Sequence, residues 1–188
     1  MSACHPIIIA LCSPAMGSGK SVIADHLVFR HQFRLVKFAG PLKVMTRALL
    51  YELGYSHDQV EARVEGEAKE IDIPEMGVSA RRVMQTLGTE WGRKALRENL
   101  WTDITVERCK ILLSTGNSII VDDLRYENEL DALHRLGAQV YRVVRPGVTV
   151  TASHTSEGGL DHLRMAEIHN DGTIADLTAK VDALLHSL

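Results

Sequence analysis

Between Pro6 and Arg30 the chain reads PIIIALCSPAMGSGKSVIADHLVFR, and this stretch limits what can be built around it. Ile7 to Cys12 is an unbroken apolar run, the pattern of a strand buried on both faces of a parallel sheet. A turn of small residues follows, then Val22, Ile23, Leu27 and Val28 at helical spacing. Strand, glycine-rich turn and helix, with GSGKS at the junction, form a phosphate-binding loop in its expected context.

The residue types match that chemistry. A polyphosphate is strongly anionic, and a helix N-terminus offers unpaired N–H groups and partial positive charge. Gly17 and Gly19 lack Cβ atoms, so the main chain from Met16 onward can curl around phosphate and turn its amides inward. Lys20 is expected to reach the β- and γ-phosphates, and the Ser21 hydroxyl to ligate Mg²⁺. The usual pattern begins with Gly where this chain has Pro14, which has no N–H and a fixed φ.

At 188 residues the chain can bury one good core and carry a small appended lobe. A net charge of −3 without a basic tract argues against broad contact with nucleic-acid polymers or membrane surfaces. No apolar run reaches membrane-spanning length and no secretory signal pattern opens the chain, so a cytoplasmic location is expected. Cys4, Cys12 and Cys109 lack CxxC spacing, and the nine His are scattered without an HExxH pair. Neither a disulfide framework nor a transition metal is implied.

Further along, the spacing predicts a helix over Lys20 to Phe29, a strand at Arg34 to Phe38, and a helix from Leu42 to Leu53 capped by Gly54. His57 to Glu67 reads as an exposed acidic helix, and Lys69 to Gly77 as a loop. Ser79 can cap a helix from Ala80 to about Arg93. Trp91 and Trp101 bracket the link to a helix carrying Ile104, Cys109, Leu112 and Leu113. Ser118 to Val121 is a third strand ending in Asp122-Asp123, and Gln139 to Val144 a fourth. Between them Glu127 to Leu136 is a short helix. Val148 to Leu160 is polar and long enough to cover a site. Thr173 and Asp176 suggest a capping box for a last helix with Ile174, Leu177, Val181, Leu184 and Leu185 inward. The alternation argues for an α/β fold: a parallel sheet in one domain, with an all-helical insert between the second and third strands.

Ligands gather at the carboxyl ends of parallel strands. A carboxylate at such a tip beside a phosphate loop can hold the water shell of Mg²⁺, which marks the pair Asp122-Asp123. Arg125, two residues on, is close enough to the same edge to meet phosphate charge. Arg81, Gln85 and Gly88 line one side of their helix, as a solvent face or as the wall of a polar pocket.

Several blocks occur together: GSGKS, AGPLK (Ala39 to Lys43), SARRVMQTLGTEWGR (Ser79 to Arg93), VDDLRYENELDALHRLGAQVYRVVRPG (Val121 to Gly147), HTSEGGL (His154 to Leu160) and NDGT (Asn170 to Thr173). In order and over nearly the whole chain they resemble the phage-type deoxynucleoside monophosphate kinases. The resemblance implies a P-loop, three-layer α/β/α fold and Mg²⁺-dependent transfer of the ATP γ-phosphoryl group to a deoxynucleoside monophosphate. It implies that Gly17, Ser18, Gly19, Lys20, Ser21, Val22 and Asn170 bind ATP, and that Asp123 serves Mg²⁺. Lys20, Arg125 and Arg145 would act on the moving group. Lys43, Lys69, Arg81 and Gln85, in an insert of about residues 41–101, would bind the acceptor. It also suggests a homodimer. Rival readings are another small-molecule kinase, of the dephospho-coenzyme A or shikimate type, and a regulatory protein that binds ATP without transferring it.

Overall fold

The computed structural model describes residues 5–15, 17–148 and 159–188. The chain divides into two compact units, one of Met1–Lys37 with Thr105–Leu188 and one of Phe38–Ile104.

The first unit is built on a five-stranded sheet. Its strands are β1 (Ile8–Cys12), β2 (Arg34–Val36), β5 (Ile119–Val121), β6 (Gln139–Val144) and β7 (Ala166–His169), in the order β2-β5-β1-β6-β7. Every pairing is parallel, with Ala10 opposite Val121 and Cys12 opposite Arg142. Helices α1 (Lys20–His31) and α7 (Ile174–Leu185) cover one face. There Ile23, Ala24 and Leu27 of α1 and Leu177 and Val181 of α7 pack on Ile9, Leu11, Ile120, Tyr141, Val143 and Ile168. Ile8, Ala10, Ile119 and Val121 have the opposite parity and are also buried, so β1 and β5 are enclosed on both sides. Each large aliphatic side chain sealed here contributes about 1.5–3 kcal/mol. Helix α6 (Glu127–Arg135) buries Leu130 and Leu133, as its spacing predicts.

Four strands were expected for this sheet, and five are found among the described residues. β7 escapes sequence reading because it is an edge strand of four residues with only Ile168 buried. The last helix has the expected cap, with Asp176 N–H donating to Thr173 Oγ1 and Thr173 N–H to Asp176 Oδ2. Ile174, expected inward, lies exposed in its first turn.

The second unit holds α2 (Gly40–Glu52), α3 (His57–Val64), a 3₁₀ turn at Glu67–Glu70, a hairpin of β3 (Asp72–Ile73) and β4 (Val78–Ser79), and α4 (Ala80–Thr86). Three expectations are corrected here. The segment after His57 is not simply exposed, since Val60 and Val64, one turn apart, are fully buried with Leu50, Ile73, Ala80, Val83 and Met84. The stretch Lys69 to Gly77 is a 3₁₀ turn and a hairpin rather than a loop, so the unit is not all-helical. The helix from Ala80 changes character after Thr86. Leu87–Leu96 winds as a wider π-helix, closed by Arg97 N–H donating to the Gly92 carbonyl at 2.9 Å. Trp101 is buried and donates Nε1–H to the Gly88 carbonyl at 2.8 Å, with Trp91 6.0 Å away between ring centroids. Helix α5 (Leu100–Ser114) buries Cys109 and leaves Ile104 exposed. No helix among the described residues is long and apolar enough to cross a membrane.

Candidate active site

The sheet register decides which loops meet. β5 and β6 flank β1 in parallel, and β7 flanks β6, so the chain leaves all four strands at one edge. From β1 comes the loop toward Gly17 to Ser21, from β5 Asp122 and Asp123, from β6 Arg145, and from β7 Asn170. Such an edge is where ligands of open α/β sheets bind.

Within the loop, Gly17 and Gly19 have φ of 75° and 108°, a region that favours residues without Cβ. Gly19 is the cap from which α1 starts. Two distant side chains tie the loop down. Arg145 donates Nη1–H to the Gly17 carbonyl at 3.0 Å, and Asn170 donates Nδ2–H to the Ser18 carbonyl at 2.8 Å. Asn170 is itself fixed, its N–H donating to the Val144 carbonyl at 2.8 Å. Lys20 Nζ lies 3.3 Å from Ser18 Oγ, and Ser18 is buried. Ser21 is exposed and Val22 half-buried at the start of α1. Met16 falls outside the described residues, as do residues 149–158 of the segment expected to cover the site.

At the β5 tip the two carboxylates differ. Asp122 is buried, and its Oδ2 pairs with Lys37 Nζ at 2.9 Å. Its Oδ1 is buried with no hydrogen-bond partner among the described residues. Asp123 is half-buried and Arg125 exposed. The main chain between this tip and α6 is held by Glu129, only 2% exposed, whose Oε2 accepts the N–H groups of Arg125 and Tyr126 at 3.1 and 3.2 Å. Sequence reading places Glu129 within the Val121 to Gly147 block but gives it no role, though a Glu in the first turn of a helix is a recognisable capping signal. It also passes over Arg142, which carries no such local signal. Arg142 Nη2 donates to the carbonyls of Leu160 and Leu163 at 2.7 and 2.9 Å, anchoring the chain where it leads into β7.

The second unit gathers its own charges. Lys43 Nζ pairs with Glu65 Oε2 at 2.5 Å, and Arg81 Nη1 with Glu70 Oε1 at 2.9 Å. Arg47 grips Glu61 through two nitrogens, at 2.6 and 2.9 Å, and reaches Glu65 at 3.1 Å. Burial alone would raise the Glu65 carboxyl, but its bonds to Lys43 and Arg47 outweigh this and hold it below the ordinary range. Lys69, on the 3₁₀ turn, is pushed down by burial and then by the neighbouring charges of Lys43 and Arg81. Three cations far apart in sequence therefore share one neighbourhood, with Glu65 and Glu70 as counter-charges. Gln85 sits half-buried one turn after Arg81 on α4.

The sequence profile of the deoxynucleotide monophosphate kinases matches residues 43–181. The chain belongs to that family. Membership carries the family's activity on deoxynucleotide monophosphates and, with it, the use of ATP. A protein of Acanthamoeba polyphaga mimivirus, described as a candidate deoxynucleotide monophosphate kinase, is 26% identical over 179 residues, covering 88% of this chain and 89% of its own. The deoxynucleotide monophosphate kinases of phages T4 and RB69 are 34% and 30% identical over 113 and 110 residues. Those matches take in 58% and 57% of this chain but only 46% and 45% of the phage enzymes, so the chain aligns with about half the length of either. Among solved structures, a sugar kinase from Janibacter superposes with a TM-score of 0.53 at 11% identity, covering 96% of this chain and 95% of the other. Dephospho-CoA kinase from Campylobacter jejuni gives 0.51 at 11%, covering 98% of each. At such identities the likeness is one of fold, that of small-molecule P-loop kinases.

Proposed function

We propose that this kinase moves the γ-phosphoryl group of ATP onto the 5′-phosphate of a deoxynucleoside monophosphate in a Mg²⁺-dependent reaction, giving the diphosphate and ADP. The observation that carries the reading is the tethering of the Gly17 and Ser18 carbonyls by Arg145 and Asn170. A loop held in place before ATP arrives has little ordering cost left at binding, and positioning is most of what phosphoryl transfer asks of a protein.

In this reading the amides from Gly17 to Val22 and the Lys20 ammonium hold the triphosphate. Arg125 and Arg145 neutralise charge developing on the moving group. Ser21 and Asp123 offer the hard oxygen donors that suit Mg²⁺, and Asp122 Oδ1 next door, without a hydrogen-bond partner among the described residues, adds negative potential favourable to a cation. When bound, the ion neutralises phosphate charge. The acceptor oxygen is already ionised, so no strong general base is required.

The second unit supplies the acceptor subsite. The phosphate of the nucleotide competes with Glu65 and Glu70 for Lys43, Lys69 and Arg81, and Gln85 offers an amide for further polar contact. An Arg fork suits a phosphate, whereas lysines act as point charges.

A coupled ADP-release assay with each deoxynucleoside monophosphate tests this. Lys20→Ala should lower turnover by at least about a hundredfold, the scale of losing one preorganised charge contact. Arg81→Ala and Gln85→Ala should raise the acceptor KM while leaving the ATP KM nearly unchanged. Near-normal turnover in Lys20→Ala refutes the donor site, and a defect confined to ATP in Arg81→Ala refutes the acceptor site.

A further inference from the structure

Away from the strand tips, two histidines and one aspartate converge on the helical face of the first unit. His26 and His31, the last residue of α1, each direct Nε2 to the same oxygen, Asp182 Oδ1 on α7, at 2.7 Å. The rings meet edge to face with centroids 5.3 Å apart. One donor atom from each of the three residues lies within 4.8 Å of the other two, the single such His/Cys/Asp/Glu grouping among the described residues. The side chains are 14%, 30% and 41% exposed, so solvent reaches the cluster without dissolving it.

We infer that His26, His31 and Asp182 form a binding site for a divalent transition ion, Zn²⁺ above all, that clips α1 to α7. Two imidazole nitrogens and one carboxylate oxygen are a common donor set for zinc, which takes such ligands at about 2.0–2.2 Å in tetrahedral geometry with water completing the shell. The donors already converge, so they need close in only modestly around an ion. Each histidine would bind through Nε2 with its proton carried on Nδ1, exchanging the present hydrogen bond to Asp182 for a coordinate bond. Imidazole favours Zn²⁺, Co²⁺ or Ni²⁺ over the hard Mg²⁺ that phosphates need.

The place in the fold gives the site its consequence. α1 begins at Gly19 in the phosphate loop, and His31 lies eleven residues beyond Lys20, about 16 Å along a helix rising ~1.5 Å per residue. α7 begins just past Asn170, and Asp182 is near its other end. The cluster is therefore remote from the carboxylates expected to serve Mg²⁺. It cross-links the far ends of the two helices whose near ends hold Gly19 and adjoin Asn170. A bound ion would brace those helices without entering the chemistry.

The experiment uses the tag-free full chain, stripped with chelator and titrated with ZnCl₂ by calorimetry, with Co²⁺ absorption as a second probe. One equivalent of zinc should bind. The unfolding midpoint should rise by about 5–10 °C at a hundredfold excess over Kd. MgCl₂ should do neither. His31→Ala and the isosteric Asp182→Asn should weaken zinc binding at least tenfold and remove the thermal shift, whereas His134→Ala should leave both intact. Co²⁺ should give the intense visible bands of four-coordination in the unaltered chain and in His134→Ala, and in neither His31→Ala nor Asp182→Asn. The inference is overturned if no zinc binds below about a hundred micromolar, or if both variants bind it as tightly as the parent.

Discussion

Gly19 gives the sharpest test of how the loop is built, because two separable costs meet there. Its φ of 108° lies where a residue with Cβ is strained, at about 1–3 kcal/mol. A Cβ would also lie 2.5 Å from Asn170 Nδ2 and 3.3 Å from Leu177 Cδ2. The Asn170 amide is the end of a side chain, so it would swing away and forfeit its bond to the Ser18 carbonyl, worth about 0.5–1.5 kcal/mol. Gly19→Ala should then destabilise the chain by about 2–4 kcal/mol, read from urea denaturation, and weaken ATP binding alongside. Gly17, with φ of 75° and nothing within 4 Å of an added methyl, should lose only the strain, about 1–2 kcal/mol. In an Asn170→Ala background the hydrogen bond is already gone. Gly19→Ala should there cost less by the value of that bond, about 0.5–1.5 kcal/mol, and a double-mutant cycle measures the difference directly. Strict additivity of Gly19→Ala with Asn170→Ala, or equal costs at Gly17 and Gly19, would refute the reasoning.

Two further outcomes follow from the second unit. A Cβ at Gly92 would overlap the Trp101 indole, so Gly92→Ala should break the Trp101 bond to Gly88 and cost about 1–3 kcal/mol of overpacking. The check is a lower denaturation midpoint together with red-shifted tryptophan emission. Lys69 has its ammonium pushed down by burial, so it turns neutral at lower pH than an ordinary lysine and then ceases to attract phosphate. The acceptor KM should rise on the alkaline side earlier than a solvent lysine would dictate, and Lys69→Arg, which stays charged, should flatten that rise. A pH profile of KM for both proteins decides it, and identical profiles would exclude Lys69 from the acceptor site.

The phosphate loop is easy to read from the sequence for a physical reason. Strand β1, the Gly17 to Ser21 turn and the start of α1 are contiguous, and each glycine is needed where it stands by its own φ. The caps at Ser79 and Thr173 are legible likewise, since a cap is a bond between residues three apart. Harder to read are elements whose sense depends on distant partners. β7 has one buried residue in four and is a strand because β6 lies beside it. Val60 and Val64 look incidental in an acidic stretch until Leu50 and Ile73 close over them. The hairpin of two-residue strands has too few residues to show any alternation.

What the sequence determined by itself was therefore local: a buried strand, a phosphate-binding turn, the helix ends, and through its blocks the family. What only the tertiary structure decided was company. Arg145 and Asn170 are 128 and 152 residues from the carbonyls they hold, Asp182 is 156 from His26, and Lys43, Lys69 and Arg81 share a field only once the second unit has folded. Backbone preference is set by a residue and its immediate neighbours, whereas a charge or a hydrogen bond acts through space, and the order of letters does not contain the distances.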